Sequence, residues 1–241
     1  MRNLLIHICL ALLIIVSGCK KDKISGGLTP NDFLSNSKYD KLIVEIQYVE
    51  GFPPTPAAVD NLKAFLVRYL NKQSGITIVQ SSIKPPGKSS YTVDDIRNIE
   101  NANRTQNTDG KTIAAYFFFA DNDYAANSGS SKVLGIAYGN SSMVIFEKTI
   151  REFSGGITQP SVEAVETTVI NHEFAHILGL VNNGTAMQAS HQDSSNGKHC
   201  NNANCLMYHN AETSDVVANL IGVIPSLDAN CAQDLYKNGG K

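Results

Sequence analysis

Between Lys41 and Val49 the chain reads KLIVEIQYV, with Leu42, Val44, Ile46 and Tyr48 alternating against Ile43, Glu45 and Gln47. A period of two puts the two sets on opposite sides of an extended backbone, which predicts a strand. The run Phe52-Pro53-Pro54-Thr55-Pro56 cannot be helical and predicts a turn. Val59, Leu62, Phe65, Leu66 and Leu70 then recur at helical spacing, so residues 57–71 read as an amphipathic helix that closes near Gly75. Residues 76–79 are a second short strand, and Lys84-Pro85-Pro86-Gly87 is another turn. Residues 91–104 are polar but suit a helix, with Thr92 available as its cap. Residues 112–120 (TIAAYFFFA) are dense in aromatic side chains, which predicts a strand covered on both faces. Residues 133–138 and 142–146 flank Gly139-Asn140, a hairpin signal. A long helix starts at Gln159-Pro160-Ser161, carries Glu163 and Glu166 in its early turns, and stops at Gly179. Past residues 216–223, which are apolar but broken by Gly222, a short helix covers 227–237. No internal repeat is apparent.

The N-terminus is of another kind. Met1-Arg2-Asn3 is basic, and residues 4–16 are apolar but too few to span a membrane in the ordinary way, so residues 1–18 read as a signal peptide. Val16-Ser17-Gly18-Cys19 resembles a bacterial lipobox, which implies that Cys19 becomes a lipid-modified N-terminus. The resemblance places the protein on a bacterial membrane, the outer membrane being the expected one, facing the periplasm or the cell surface. Residues 19–38 are polar and rich in Lys, Ser, Gly and Asn, and read as a flexible tether. Residues 39–241 are enough for one sizeable domain. The formal charge of −2 becomes −3 once the leader and its Arg2 are removed, which offers no surface for nucleic acid; a monomer is expected. Asp121-Asn122-Asp123 reads as a turn, with calcium binding the lesser alternative for want of further ligands.

The chemistry is concentrated in Asn171 to Gly179, NHEFAHILG. On a helix, His172 and His176 project from one face about a turn apart and can bind one metal ion. Glu173 can then reach a water on that metal, which is the H-E-x-x-H arrangement of zinc hydrolases. The plainer alternative is a buried helix with two incidental histidines. A hydrolytic zinc needs a third protein ligand and an open position, and His191, Asp193 and His199 lie shortly downstream.

The run His172 to Gly179 resembles the opening of the metzincin zinc-peptidase signature, H-E-x-x-H-x-x-G-x-x-H, followed later by a methionine turn. At its eleventh position stands Asn182, a poor zinc ligand. Further on, His199-Cys200-Asn201-Asn202-Ala203-Asn204-Cys205-Leu206-Met207 resembles the H-C-x-x-x-x-C-x-M continuation of archaemetzincins. The resemblance implies His199 as third ligand, across an inserted loop, and Met207 as the methionine turn. His191 is the alternative third ligand. Asp193 can orient a ligand histidine, and Tyr208 is a weak candidate for stabilising an oxyanion.

Archaemetzincins carry a second, four-cysteine zinc site, for which Cys200, Cys205 and Cys231 are the only candidates besides Cys19, so that site is incomplete here. The alternative is a disulfide, most simply Cys200 with Cys205, while Cys231 is another partner for a methionine-turn cysteine. The family also implies an α+β fold: a twisted mixed sheet with helices, a zinc helix, an N-terminal lobe at 39–180, and an insert, methionine turn and small C-terminal lobe at 181–241. Its edge strand, near residues 133–147, would bind an extended peptide. The expected activity is zinc-dependent endopeptidase on a peptide or protein substrate, with Glu173 as general base. The competing expectation is a non-catalytic, zinc-stabilised surface lipoprotein that binds a protein or glycan.

Overall fold

A computed structural model describes residues 27–218, 220 and 223–241. The signal peptide and Cys19 lie outside the described residues. The first element is one that the sequence pattern concealed: a five-residue helix α1 (Pro30–Leu34), whose cap Thr29 and third residue Asp32 bond each other's backbone reciprocally. Phe33 and Leu34 on it are fully buried. The tether expected over 19–38 is therefore wrong from Thr29 to Leu34. Burying two such side chains stabilises the fold by roughly 1.5–3 kcal/mol each, enough to hold a short polar segment onto a domain.

Next come β1 (Lys41–Val49), α2 (Pro56–Tyr69), β2 (Ile76–Ile83), β3 (Ser90–Tyr91), α3 (Val93–Asn103), β4 (Thr112–Phe119), β5 (Asp123–Tyr124), β6 (Gly135–Ala137), β7 (Ser142–Ile145), α4 (Glu147–Phe153), α5 (Val162–Ile177) and α6 (Ala229–Lys237). The sheet order is β2-β1-β4-β7-β6, with β6 antiparallel to β7 and every other pair parallel. β3 and β5 pair separately. The Thr92 cap expected on α3 forms, closing a box with Asp95. β2 runs four residues past the expected Val79, to Ile83, and its latter half is mostly exposed, as the edge of a sheet allows. α4 was not anticipated, because seven residues carry too little periodicity to show.

β4 lies at the centre and is buried on both faces, as its composition predicts. Phe117 and Phe119 enter the larger core with Phe33, Phe174 and Met207. Tyr116 and Phe118 face the opposite way, into a smaller core with Tyr91, Val144 and Phe146. α5 packs against α2, β6 and β7, which brings its histidine face beside the free edge of β6. The Asp121–Asp123 turn spends its side chains on protein partners: Tyr91 Oη donates to Asp121, Lys148 Nζ to Asn122 and Thr149 Oγ1 to Asp123.

Candidate metal centre

α5 starts where Ser161 Oγ accepts the Ala164 N–H, and it ends before Gly179, whose φ is +81°. A β-carbon on Gly179 would lie 2.6 Å from the Thr185 backbone nitrogen, so both conformation and space require glycine there. Within α5, His172 and Glu173 are buried and His176 nearly so.

Each of three imidazoles donates its Nδ1 proton to a backbone carbonyl: His172 to Leu206 at 2.7 Å, His176 to Leu180 at 3.3 Å and His199 to Asn196 at 2.7 Å. That puts a proton on each Nδ1, so that in the neutral ring Nε2 carries the free lone pair. The His172 and His176 Nε2 atoms lie 3.0 Å apart, and His199 Nε2 is buried without a partner. Lone pairs repel at that distance unless a cation lies between them. Burial, and then the neighbouring imidazole, push His172 and His176 down to about 3, so both are neutral and able to ligate. These donors fit zinc, which takes neutral imidazole nitrogens. His199 is thus the third member of the set across the insert, while Asn182, at φ +54°, donates its side-chain amide to Gln192.

Glu173 is buried and neither carboxylate oxygen has a side-chain or strong hydrogen-bond partner. Burial, then the charge of Glu212, raise its proton affinity well above the ordinary carboxylate range. A 700 Å³ cleft opens beside it, lined among others by Gly135 to Asn140, Asn183 and Lys198. Glu212, which the sequence pattern did not single out, brings Oε2 to 3.5 Å from His199 Nε2 and to 4.0 Å from those of His172 and His176.

Several expected site residues are placed differently. His191 is not with the helical pair: its Nε2 bonds Asp234 at 2.8 Å, and its Nδ1 faces Cys200 Sγ at 3.5 Å and Cys231 Sγ at 3.8 Å. Asp193 reaches no ligand imidazole by a direct hydrogen bond. It accepts from Ser195 and Asn196, shaping the loop whose Asn196 carbonyl holds His199. Tyr208 lines a separate cavity and lies with its ring 4.4 Å from that of His209. Met207 is fully buried, and its turn serves the centre through the neighbouring Leu206 carbonyl.

The Cys200–Cys205 disulfide does not form; Cys200, Cys205 and Cys231 are buried free thiols. Donor atoms of His191, Cys200, Asp228 and Cys231 all lie within 4.8 Å of one another, and Cys205 Sγ is 3.6 Å from Cys231 Sγ. The hydrogen bond it shares with Cys231 brings the Cys205 thiol down to about 7. An imidazole held from behind by a carboxylate and turned toward clustered sulfurs is a donor set suited to zinc. The inserted loop thus supplies in His191 a donor that counting cysteines could not find.

No family model and no curated protein matches the sequence. Among solved structures, the chain is similar to archaemetzincin from Methanopyrus kandleri, at 16% identity and a TM-score of 0.51, over 83% of this chain and 96% of that one. It is also similar to metalloproteinase-II from Bacteroides fragilis, at 14% identity and a TM-score of 0.45, over 85% of this chain and 54% of that one. At such identity the first likeness is one of fold: a twisted, mainly parallel sheet with helices, of the archaemetzincin type.

Proposed function

We propose that this chain is a zinc-dependent endopeptidase, tethered to a bacterial membrane by a lipid on Cys19, with Glu173 as its general base. The observation that carries this reading is the convergence of three Nε2 lone pairs beside a buried carboxylate without a strong partner, at the wall of an open cleft. Zinc held there by His172, His176 and His199 would supply a Lewis acid that polarises the scissile carbonyl and acidifies water.

The protein's own work is positional. Glu173, with its proton affinity raised by burial, takes a proton from the attacking water and returns it to the leaving amine. The histidines hold the ion, and their carbonyl partners keep the rings aimed. Among the described residues no strand pairs with the outer edge of β6 over Gly135–Ala137, which offers backbone groups to an extended peptide, a strand-addition mode that reads length and extension before side chains. The cluster of His191, Cys200, Asp228 and Cys231, with Cys205 against Cys231, would hold a second zinc with a structural role, fastening the inserted loop to α6.

The test is Glu173→Gln. It should keep zinc and the fold while lowering chelator-sensitive cleavage of a mixed peptide library by about 10²–10⁴-fold, the usual weight of a general base. Undiminished cleavage by that variant refutes the mechanism. Full zinc loading without cleavage, in the wild type and in a Glu212→Gln protein alike, would instead favour the binding-module reading.

A further inference from the structure

Glu212 stands where the reading above requires a vacancy. We propose that Glu212 is a fourth protein ligand of the metal held by His172, His176 and His199, closing in the resting protein the position that water or substrate must take. This rests on the metal centre proposed above and adds latency to it.

The geometry is that of a donor set. Two ligand atoms about 2.0–2.1 Å from one zinc at a tetrahedral angle lie about 3.3–3.4 Å apart. The Glu212 Oε2 distances of 3.5, 4.0 and 4.0 Å to the three Nε2 atoms are close to this, so one small movement of a side chain completes the shell. Donor atoms of His172, His176, His199 and Glu212 all lie within 4.8 Å of one another; Glu173, though next to His172 in sequence, is not in this set. Two carboxylates thus face the centre in different capacities, one as base and one as ligand.

The backbone that carries Glu212 is pinned. Its carbonyl accepts the Leu134 N–H at 2.8 Å, Thr213 forms a bridge with Val133, and Ser214 N donates to the Lys132 carbonyl at 2.7 Å. The segment just before β6 therefore sets the height of Glu212 over the histidines. Its side chain, by contrast, is 35% exposed at the cleft, whereas His172 is fully buried. A carboxylate on a fixed backbone with an open side can turn away without unfolding anything. Substrate seating on β6 would compete for the same space, and latency would end when the carboxylate swings into the cleft.

The experiment uses the folded domain loaded with cobalt or zinc, comparing wild type with Glu212→Gln and Glu212→Ala. The isosteric Gln guards against a packing artefact, and the thiolate cluster, identical in all three, cancels in the difference. Losing a carboxylate donor should change the visible cobalt bands and weaken zinc about tenfold or more in chelator competition. Peptide cleavage should rise, by about tenfold if the open state is one part in ten of the resting population. Unchanged bands and zinc affinity in both variants overturn the proposal, as does reduced cleavage with metal binding intact, which would make Glu212 a residue that positions water or substrate. A His199→Ala protein that binds cobalt as the wild type does would overturn the metal centre itself, a failure distinct from that of Glu212.

Discussion

Gly135 and Glu173 meet so closely that a β-carbon on Gly135 would lie 2.8 Å from Glu173 Cγ and 2.9 Å from its Oε1, as well as 2.6 Å from Val169 Cγ1. The edge strand can approach the proposed base only because residue 135 has no side chain. The constraint is one of space, since this glycine is not among those with positive φ. Gly135→Ala must push either β6 outward or the Glu173 carboxylate aside. We expect a stability loss of about 1–3 kcal/mol, the usual cost of overpacking. Cleavage should fall far more than that loss implies, with zinc content unchanged; a variant with wild-type turnover would show that Glu173 does not need this wall.

The thiol cluster predicts a metal count. Cys231→Ser and His191→Ala should each remove one of two zinc equivalents while leaving the His172, His176 and His199 set loaded, as read by elemental analysis of dialysed protein. The thiols of the wild type should resist alkylation until a strong chelator is added, because coordinated sulfur is a poor nucleophile toward bulky reagents. The melting temperature should drop by several degrees in both variants, since each breaks the fastening between the inserted loop and α6. A single zinc equivalent in the wild type, absent from His199→Ala, would leave the cluster as ordinary core thiols.

A buried carboxylate pair predicts how stability depends on pH. Glu147 Oε2 and Glu166 Oε1 are both buried without another partner, while Arg151 Nε donates to the far oxygen of Glu147 at 2.5 Å and Thr55 N to that of Glu166 at 2.8 Å. Burial, then the charge of Glu166, push Glu147 up to about 9 despite Arg151. Between the unperturbed value of 4.5 and about 9, the folded state keeps a proton that the unfolded chain has lost. The contribution is therefore fully present below 4.5 and is lost as pH rises toward 9, with a slope of up to about 1.4 kcal/mol per pH unit. Melting temperature followed from pH 5 to about 9 should fall, and Glu147→Gln should flatten that fall. No fall over the same window, in the wild type as in Glu147→Gln, would mean that Arg151 keeps the pair ionised.

How far the chain could be read in advance depends on where each signal resides. The strand over Lys41–Val49, the doubly covered β4 and the histidine helix were legible because burial imposes a period within a few residues, and because an i, i+4 pair needs only a helix to meet. His199 was reachable only by family resemblance. α1 escaped notice because Phe33 and Leu34 are two apolar residues in a polar stretch; that they are buried, with Phe33 edge-on to Phe174 at 6.0 Å between ring centres, follows from packing against a helix far along the chain.

What the sequence alone determined is local: the periods, the caps, the stop at Gly179 and the grammar of His172, Glu173 and His176. The tertiary structure decided which of two downstream imidazoles joins that pair. It sent His191 to the thiols through its bond with Asp234, left Cys200, Cys205 and Cys231 unbridged, and set Glu212 over the three imidazole nitrogens. The physical reason is that such choices turn on ångström-scale separations between atoms tens of residues apart. Those separations are set by packing and backbone hydrogen bonds across the fold, and spacing along the chain does not encode them.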